Sequence, residues 1–211
     1  MPLRIAVTLS ALVLLCCAAW RAQATPDSGT TTYTQCAACH GDRAQGNDTL
    51  QAPALAGQYD WYLDKQLNDF RRGARGSHPE DTQGAIMAAS VSGLAPDDQT
   101  ELVAWLASLA PVSTARVEEG SFMNGERYYQ GKCGACHGAQ GEGNPTFHAP
   151  RLQGLSVAYV MTQMDKFRNG IRGSHPDDRL GRQMAMMANT VSDEELRDIL
   201  LFIQQRQDDA F

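Results

Sequence analysis

Cys36-Ala37-Ala38-Cys39-His40 recurs 97 residues later as Cys133-Gly134-Ala135-Cys136-His137, and this doubled pentapeptide decides how the chain is read. Two cysteines three positions apart stand about a helical turn from each other. Both thiols can then add to the two vinyl groups of one porphyrin. The histidine that follows falls beneath the ring, where its imidazole can ligate iron. Cys36, Cys39, Cys133 and Cys136 are therefore the expected attachment points of two covalently bound haem c groups, with His40 and His137 as axial ligands.

The register runs well beyond the pentapeptide. Setting each residue against the one 97 places on needs no gap from Cys36 to Ala88, and 26 of those 53 positions are identical. Matched pairs include Pro53/Pro150, Gly57/Gly154, Tyr62/Tyr159, Gln66/Gln163 and Met87/Met184, and Arg75-Gly76-Ser77-His78-Pro79 returns as Arg172-Gly173-Ser174-His175-Pro176. Solenoid units repeat every 20 to 50 residues or so, which makes this longer period a domain. The chain divides into a leader at 1–24, a first domain at 25–110, a linker at 111–120 and a second domain at 121–211.

The leader is read from Arg4, a 16-residue apolar run from Ile5 to Trp20, and the small-x-small site Ala22-Gln23-Ala24. This is the pattern of a cleaved export signal. The run is short for a membrane span, which needs about 20 residues; a retained anchor is the alternative. Cys16 and Cys17 would leave with the leader, so that every remaining cysteine lies in a pentapeptide. Disulfides compete for cysteine outside the cytoplasm, but they leave the twice-adjacent histidine unexplained. The same compartment, the periplasm, is where thioether attachment is completed. Residues 1–24 hold two arginines and no acid, so the net charge of −6 deepens to −8. That balance argues against nucleic acid and suits brief docking to a basic redox partner.

Periodicity places the ligands. Tyr59, Tyr62, Leu63, Gln66, Leu67 and Phe70 follow the three–four spacing of one helical face, closed by Gly73, and Tyr159, Val160, Gln163, Met164 and Phe167 repeat it before Gly170. Pro96 opens a last helix with Leu102, Val103, Trp105, Leu106 and Leu109 inward. Ser192-Asp193-Glu194-Glu195 is a capping box for its counterpart. No stretch alternates as a strand should, so the fold class expected is all-α. Met87 and Met184 fall on a loop before the last helices, which could bring a thioether to each iron. Methionine is also a common core filler. Met87 is the only methionine of its loop, and the register then selects Met184 over Met186 and Met187.

Together these features resemble the dihaem cytochromes c of the cytochrome c4 type. The likeness rests on the haem pentapeptides, Pro53-Ala54-Leu55-Ala56-Gly57-Gln58 with Pro150-Arg151-Leu152-Gln153-Gly154, the Tyr62/Gln66 and Tyr159/Gln163 helices, and the methionines. The resemblance implies two tandem class I cytochrome c domains with His/Met-ligated haems. It also implies a periplasmic electron carrier, working between a quinol-oxidising complex or dehydrogenase and a terminal oxidase. Loose membrane association would come through such a partner. By the same resemblance, the carbonyls of Pro53 and Pro150 would accept the Nδ1 hydrogens of His40 and His137; otherwise the prolines only shape the loop. The family's opening helix carries a glycine and an aromatic before the haem motif. Gly125 and Tyr129 fit, but Thr32 stands opposite Tyr129 and Gly29 is one place off, so a shorter first opening helix is expected.

Other readings of the same residues compete. A dihaem module can be the fixed subunit of a periplasmic dehydrogenase. A dihaem peroxidase would need an openable iron, with His78 and His175 as rival ligands; beside their prolines, a turn or surface role is the favoured reading. Structural zinc on two Cys-x-x-Cys pairs has the right ligand types, but explains neither the methionines nor the leader. Arg75 and Arg172 could pair with haem propionates or simply sit solvated at a turn.

Overall fold

The computed structural model describes residues 28–112, 117 and 119–208. The leader at 1–24 lies outside them, and so does part of the linker. Among the described residues no strand forms; the only ladder contacts are two isolated bridges, Asn47 with Ala52 and Asn144 with Ala149.

Each copy folds into five helices in the same order. In the first copy α1 is Ser28–Tyr33, α2 Ala37–His40, α3 Asp60–Arg71, α4 Thr82–Val91 and α5 Pro96–Ser108. In the second, α6 is Phe122–Lys132, α7 Gly134–His137, α8 Val157–Arg168, α9 Arg179–Ala188 and α10 Asp193–Asp208, with one 3-10 turn at Pro145–Phe147. The periodic faces are the buried ones: Leu63, Gln66, Leu67 and Phe70 on α3, and Tyr159, Gln163, Met164 and Phe167 on α8. The capping box forms as its sequence demands. The Glu195 N–H donates to Ser192 Oγ at 3.1 Å and the Ser192 N–H to Glu195 Oε2 at 3.0 Å.

In both copies the last helix packs on the opening one, and a glycine lets the two backbones touch. A Cβ on Gly29 would stand 2.6 Å from Trp105 Cβ, and one on Gly125 only 2.0 Å from the Asp198 carbonyl oxygen. Four residues on, Tyr33 packs on Trp105 with ring centroids 4.9 Å apart, and Tyr129 on Phe202 at 5.3 Å. The pairing of Thr32 with Tyr129 is thus corrected: Gly29 and Tyr33 are the true counterparts of Gly125 and Tyr129. Tyr33 precedes its haem motif by three residues and Tyr129 by four, and the turn at 34–36 absorbs the difference. A gapless register that began at Cys36 could not see a one-residue deletion just upstream.

A second correction concerns the methionines. The segments expected to be loops are the ten-residue helices α4 and α9. Each starts at an aspartate cap, with Asp81 Oδ1 accepting the Gly84 N–H and Asp178 Oδ1 the Gly181 N–H, both at 3.0 Å. The rest of each helix is largely alanine and methionine, strong helix formers. With little apolar periodicity in α4, propensity and the cap decide the structure rather than an amphipathic pattern.

The two copies meet along α3 and α8 through paired contacts. The Arg75 Nη2 donates to Tyr159 Oη and Gln163 Oε1, both at 3.0 Å, while Arg172 Nη2 donates to Tyr62 Oη at 3.2 Å and Gln66 Oε1 at 3.0 Å. Since Arg75/Arg172, Tyr62/Tyr159 and Gln66/Gln163 are register partners, the interface has an approximate two-fold character. Gln58 extends it, accepting the Arg151 N–H at 3.1 Å and donating to the Arg151 carbonyl at 2.9 Å.

Two candidate haem sites

His40 and His137 end the short helices α2 and α7 and are nearly buried, at 5% and 6% exposure. Each Nδ1 lies 2.9 Å from a proline carbonyl oxygen, that of Pro53 for His40 and Pro150 for His137. A carbonyl can only accept, so Nδ1 carries the hydrogen and Nε2 keeps its lone pair for a metal. Burial lowers both imidazole pKa values, partly offset by the proline carbonyls, and the Arg75 charge adds to the lowering at His40. Both rings are therefore neutral, as an iron ligand must be. The loop between motif and proline is tied back on itself: the Gly46 N–H donates to the His40 carbonyl at 2.8 Å and the Gly143 N–H to the His137 carbonyl at 2.7 Å. From the other side, the Tyr33 hydroxyl donates to the Gly41 carbonyl at 2.5 Å and the Tyr129 hydroxyl to the Gly138 carbonyl at 2.7 Å.

The four cysteines of the two motifs form no disulfide. Burial, then the neighbouring Cys39, raises the Cys36 pKa; burial pushes Cys133 up to about 11. Both are thiols at neutral pH, ready for addition to a vinyl group and poorly disposed to oxidation.

In the second domain Cys133, Cys136, His137 and Pro150 line a cavity of about 480 Å³, within the usual range for cofactor sites. Met184 lines it as well, from α9. Its neighbour Met187, three residues on and hence on the same helical face, is a further thioether at this wall, whereas Met186 points outward at 67% exposure. In the first domain Met87 is half-buried on α4, packed with Cys36, Ala37 and Leu55 against the core. His175 is not among the cavity-lining residues. Its Nδ1 accepts the Asp177 N–H at 3.1 Å, and His78 Nδ1 accepts the Glu80 N–H at 3.2 Å, which is a turn role in both copies.

The interface arginines supply a test of fit. Among the described residues, the guanidinium groups of Arg75 and Arg172 hydrogen-bond only to Tyr62, Tyr159, Gln66 and Gln163, all neutral. Burial alone would raise the Tyr159 pKa, yet the two guanidinium charges outweigh it and lower the value. Arg172, at 9% exposure, is a cation buried without a hydrogen-bonded carboxylate, which is costly. Arg172, Tyr159, Gln163, Tyr62 and Gln66 all face the second cavity, where a group bearing carboxylates would provide the missing charge. Haem, with its two propionates, fits the donor set, the cavity and the charge. Sequence reasoning reached the arginines. It missed Gln58, Tyr59 and Arg151, whose cross-domain bonds have no signal in a single-domain motif.

Comparison with known proteins agrees with this geometry. The family model described as Cytochrome c matches twice, over residues 27–110 and 122–207. Cytochrome c4 of Azotobacter vinelandii is 31% identical over 180 residues, spanning 80% of this chain and 83% of the relative. A protein named thiosulfate dehydrogenase electron acceptor, from Stutzerimonas stutzeri (strain A1501), is 32% identical over 196 residues, 84% of this chain and 85% of its own. The crystal structure of reduced recombinant cytochrome c4 from Pseudomonas stutzeri superposes with a TM-score of 0.66 at 27% identity, covering 85% of this chain and 97% of that one. Two copies of one helical domain, each with a haem-attachment motif and a proline-held histidine, place the chain in the cytochrome c family, as a dihaem electron-transfer protein of the cytochrome c4 type with two covalently bound haem c groups.

Proposed function

We propose that the chain is a periplasmic carrier that passes single electrons between larger redox proteins, with His40/Met87 and His137/Met184 as the axial pairs. The observation that carries this is the second cavity, where His137, Cys133, Cys136 and Met184 converge on one space. Bound haem supplies the one-electron couple of its iron, and a methionine ligand raises its potential relative to a second histidine. The chain does the rest. Cys36, Cys39, Cys133 and Cys136 fix the porphyrin edges. Pro53 and Pro150 hold the imidazoles in one tautomer, while Met87 and Met184 would supply the second ligand to each iron and leave it no place for a substrate. Arg75 and Arg172, at the domain interface, would pair with propionates.

An optical spectrum of the oxidised protein, calibrated for two haems per chain, tests the ligand assignment. A far-red band of full strength for two methionine-ligated ferric irons is expected. Half that band, or none, would leave an iron open and make peroxidase activity the next assay.

The leader at 1–24 fits export followed by cleavage before Thr25, with domains at 25–110 and 121–211 flanking the linker 111–120. Mass measurement of the secreted chain checks the cut. No helix among the described residues is long and apolar enough to cross a membrane. A quinol-oxidising complex or dehydrogenase as donor and a terminal oxidase as acceptor suit the acidic net charge of −8 left after cleavage, from −6 with two arginines removed. The relative named as an electron acceptor of thiosulfate dehydrogenase favours one second reading: a dedicated cytochrome partner of a periplasmic dehydrogenase. Stable co-purification with a larger subunit would select it.

A further inference from the structure

Each helix that presents an axial methionine is gripped at its start by a lysine from the other domain. Asp81, the cap of α4, receives Lys166 Nζ of α8 at 2.5 Å on the same Oδ1 that accepts the Gly84 N–H. Asp178, the cap of α9, receives Lys65 Nζ of α3 at 3.0 Å on the Oδ1 that accepts the Gly181 N–H. Both carboxylates are almost fully enclosed, with side-chain exposures of 2% and 6%. The lysines are partly enclosed too, at 11% and 26%, so solvent screens these pairs less than surface ones.

The two lysines are not register partners. Lys65 falls opposite Thr162, and Lys166 opposite Asp69. Inheritance from a duplicated domain therefore does not explain the symmetry of the contacts. Lysines one helical turn apart on the common α3/α8 face reach equivalent aspartates, so the bond itself recurs and not the residue that makes it.

What the bond holds is the placement of a weak ligand. A methionine thioether is neutral and has no charge to draw it to iron, so its ligation depends on where the protein puts it. Met87 and Met184 lie six residues beyond Asp81 and Asp178, about 9 Å along a helix at 1.5 Å per residue. A short helix fixed at its cap carries that position and rotation to the sulfur. Resting on the His/Met reading above, we propose that Lys65 and Lys166 are positioning residues for the axial methionine of the opposite domain, each holding the capping carboxylate of the helix that presents it. Docking of the domains then secures both sixth ligands at once.

The test is crossed and uses the full two-haem protein. In the ferrous state each methionine-ligated haem gives its own upfield-shifted methionine methyl proton signal, assigned by its loss in Met87→Ala and Met184→Ala. Lys65→Met should broaden or shift the Met184 signal and leave that of Met87 in place; in the ferric state it should tighten imidazole binding at the second haem about tenfold, the lower end of what supporting residues of a metal site contribute. Lys166→Met should do the same to Met87 and the first haem. Lys65→Arg and Lys166→Arg should restore both readouts. Lys65 also donates to Asp69 one turn along its own helix, but Asp69 keeps Arg72 when Lys65 is lost, and if Lys65→Met fails to fold, Lys65→Gln carries the test. No effect, an effect on the same domain, or an equal effect on both haems would overturn the inference. A wild-type protein lacking two methionine signals would instead sink the ligand assignment on which it rests.

Discussion

The second haem site offers two sulfurs where the first offers one. Met184 and Met187 share the cavity-facing side of α9, while the first domain has Ser90 where Met187 stands. Register alone assigns Met184, because it matches Met87. Replacing Met184 by alanine should halve the far-red band of the ferric protein and lower one of its two midpoint potentials. Met187→Leu should leave both unchanged. A Met184→Ala protein with an undiminished band would transfer the ligand role to Met187. The haem thiols and histidines are legible from five consecutive residues, since covalent attachment dictates their spacing. The candidate methionine is singled out only because the chain holds two copies. The bond from each histidine to its proline carbonyl has a 13-residue separation that nothing local encodes.

Between elements, the close crossing of the opening and closing helices carries most of the second core and a smaller part of the first. Phe202 is 1% exposed and packs on Tyr129 and Phe122, so Phe202→Ala should cost about 3–5 kcal/mol. Gly125→Ala would force a methyl group against the Asp198 carbonyl at 2.0 Å and, as an overpacking change, should cost about 1–3 kcal/mol. For a domain near 100 residues each kcal/mol lowers the melting temperature by roughly 4–8 °C, so calorimetry resolves both. Gly29→Ala should behave likewise in the first domain; a melting point unmoved there would mean that α1 shifts freely on α5. The amphipathic helices α3, α5, α8 and α10 were legible because their apolar faces have a period. Helix α4 was not, because an aspartate cap and helix-forming side chains specify it with little periodic face; α9 does carry a strongly one-sided apolar pattern, which reading its methionines as a ligand loop overlooks. The Gly29–Tyr33 pair escaped for a different reason, a single deleted residue that a gapless repeat conceals.

For the molecule as a whole, the two-domain plan was written in the repeat, but the way the domains dock was not. Docking depends on cross-domain pairs such as Lys65 with Asp178, and a sequence compared with itself pairs each residue only with its own counterpart. The docking should be sensitive to acid. Burial pushes the Asp178 pKa up, but the Lys65 hydrogen bond, the Gly181 N–H and the charges of Lys65 and Arg172 together bring it below the ordinary value of 3.8. A carboxylate whose folded pKa is lowered stabilises the folded, docked form fully above the ordinary value, and that contribution fades as pH falls through the lowered one. The radius of gyration from small-angle scattering should therefore hold steady from neutral pH down to about 4, the ordinary carboxylate range. Below that it should rise while helical circular dichroism persists, as the domains part before they unfold. Lys65→Met removes the main source of the shift, so its radius should be larger at neutral pH and change less with acid. A radius that stays constant until the helices melt would mean that the Lys65–Asp178 pair adds nothing to docking, and that the contacts of Gln58, Tyr62 and Tyr159, none of them to a carboxylate, hold the domains unaided.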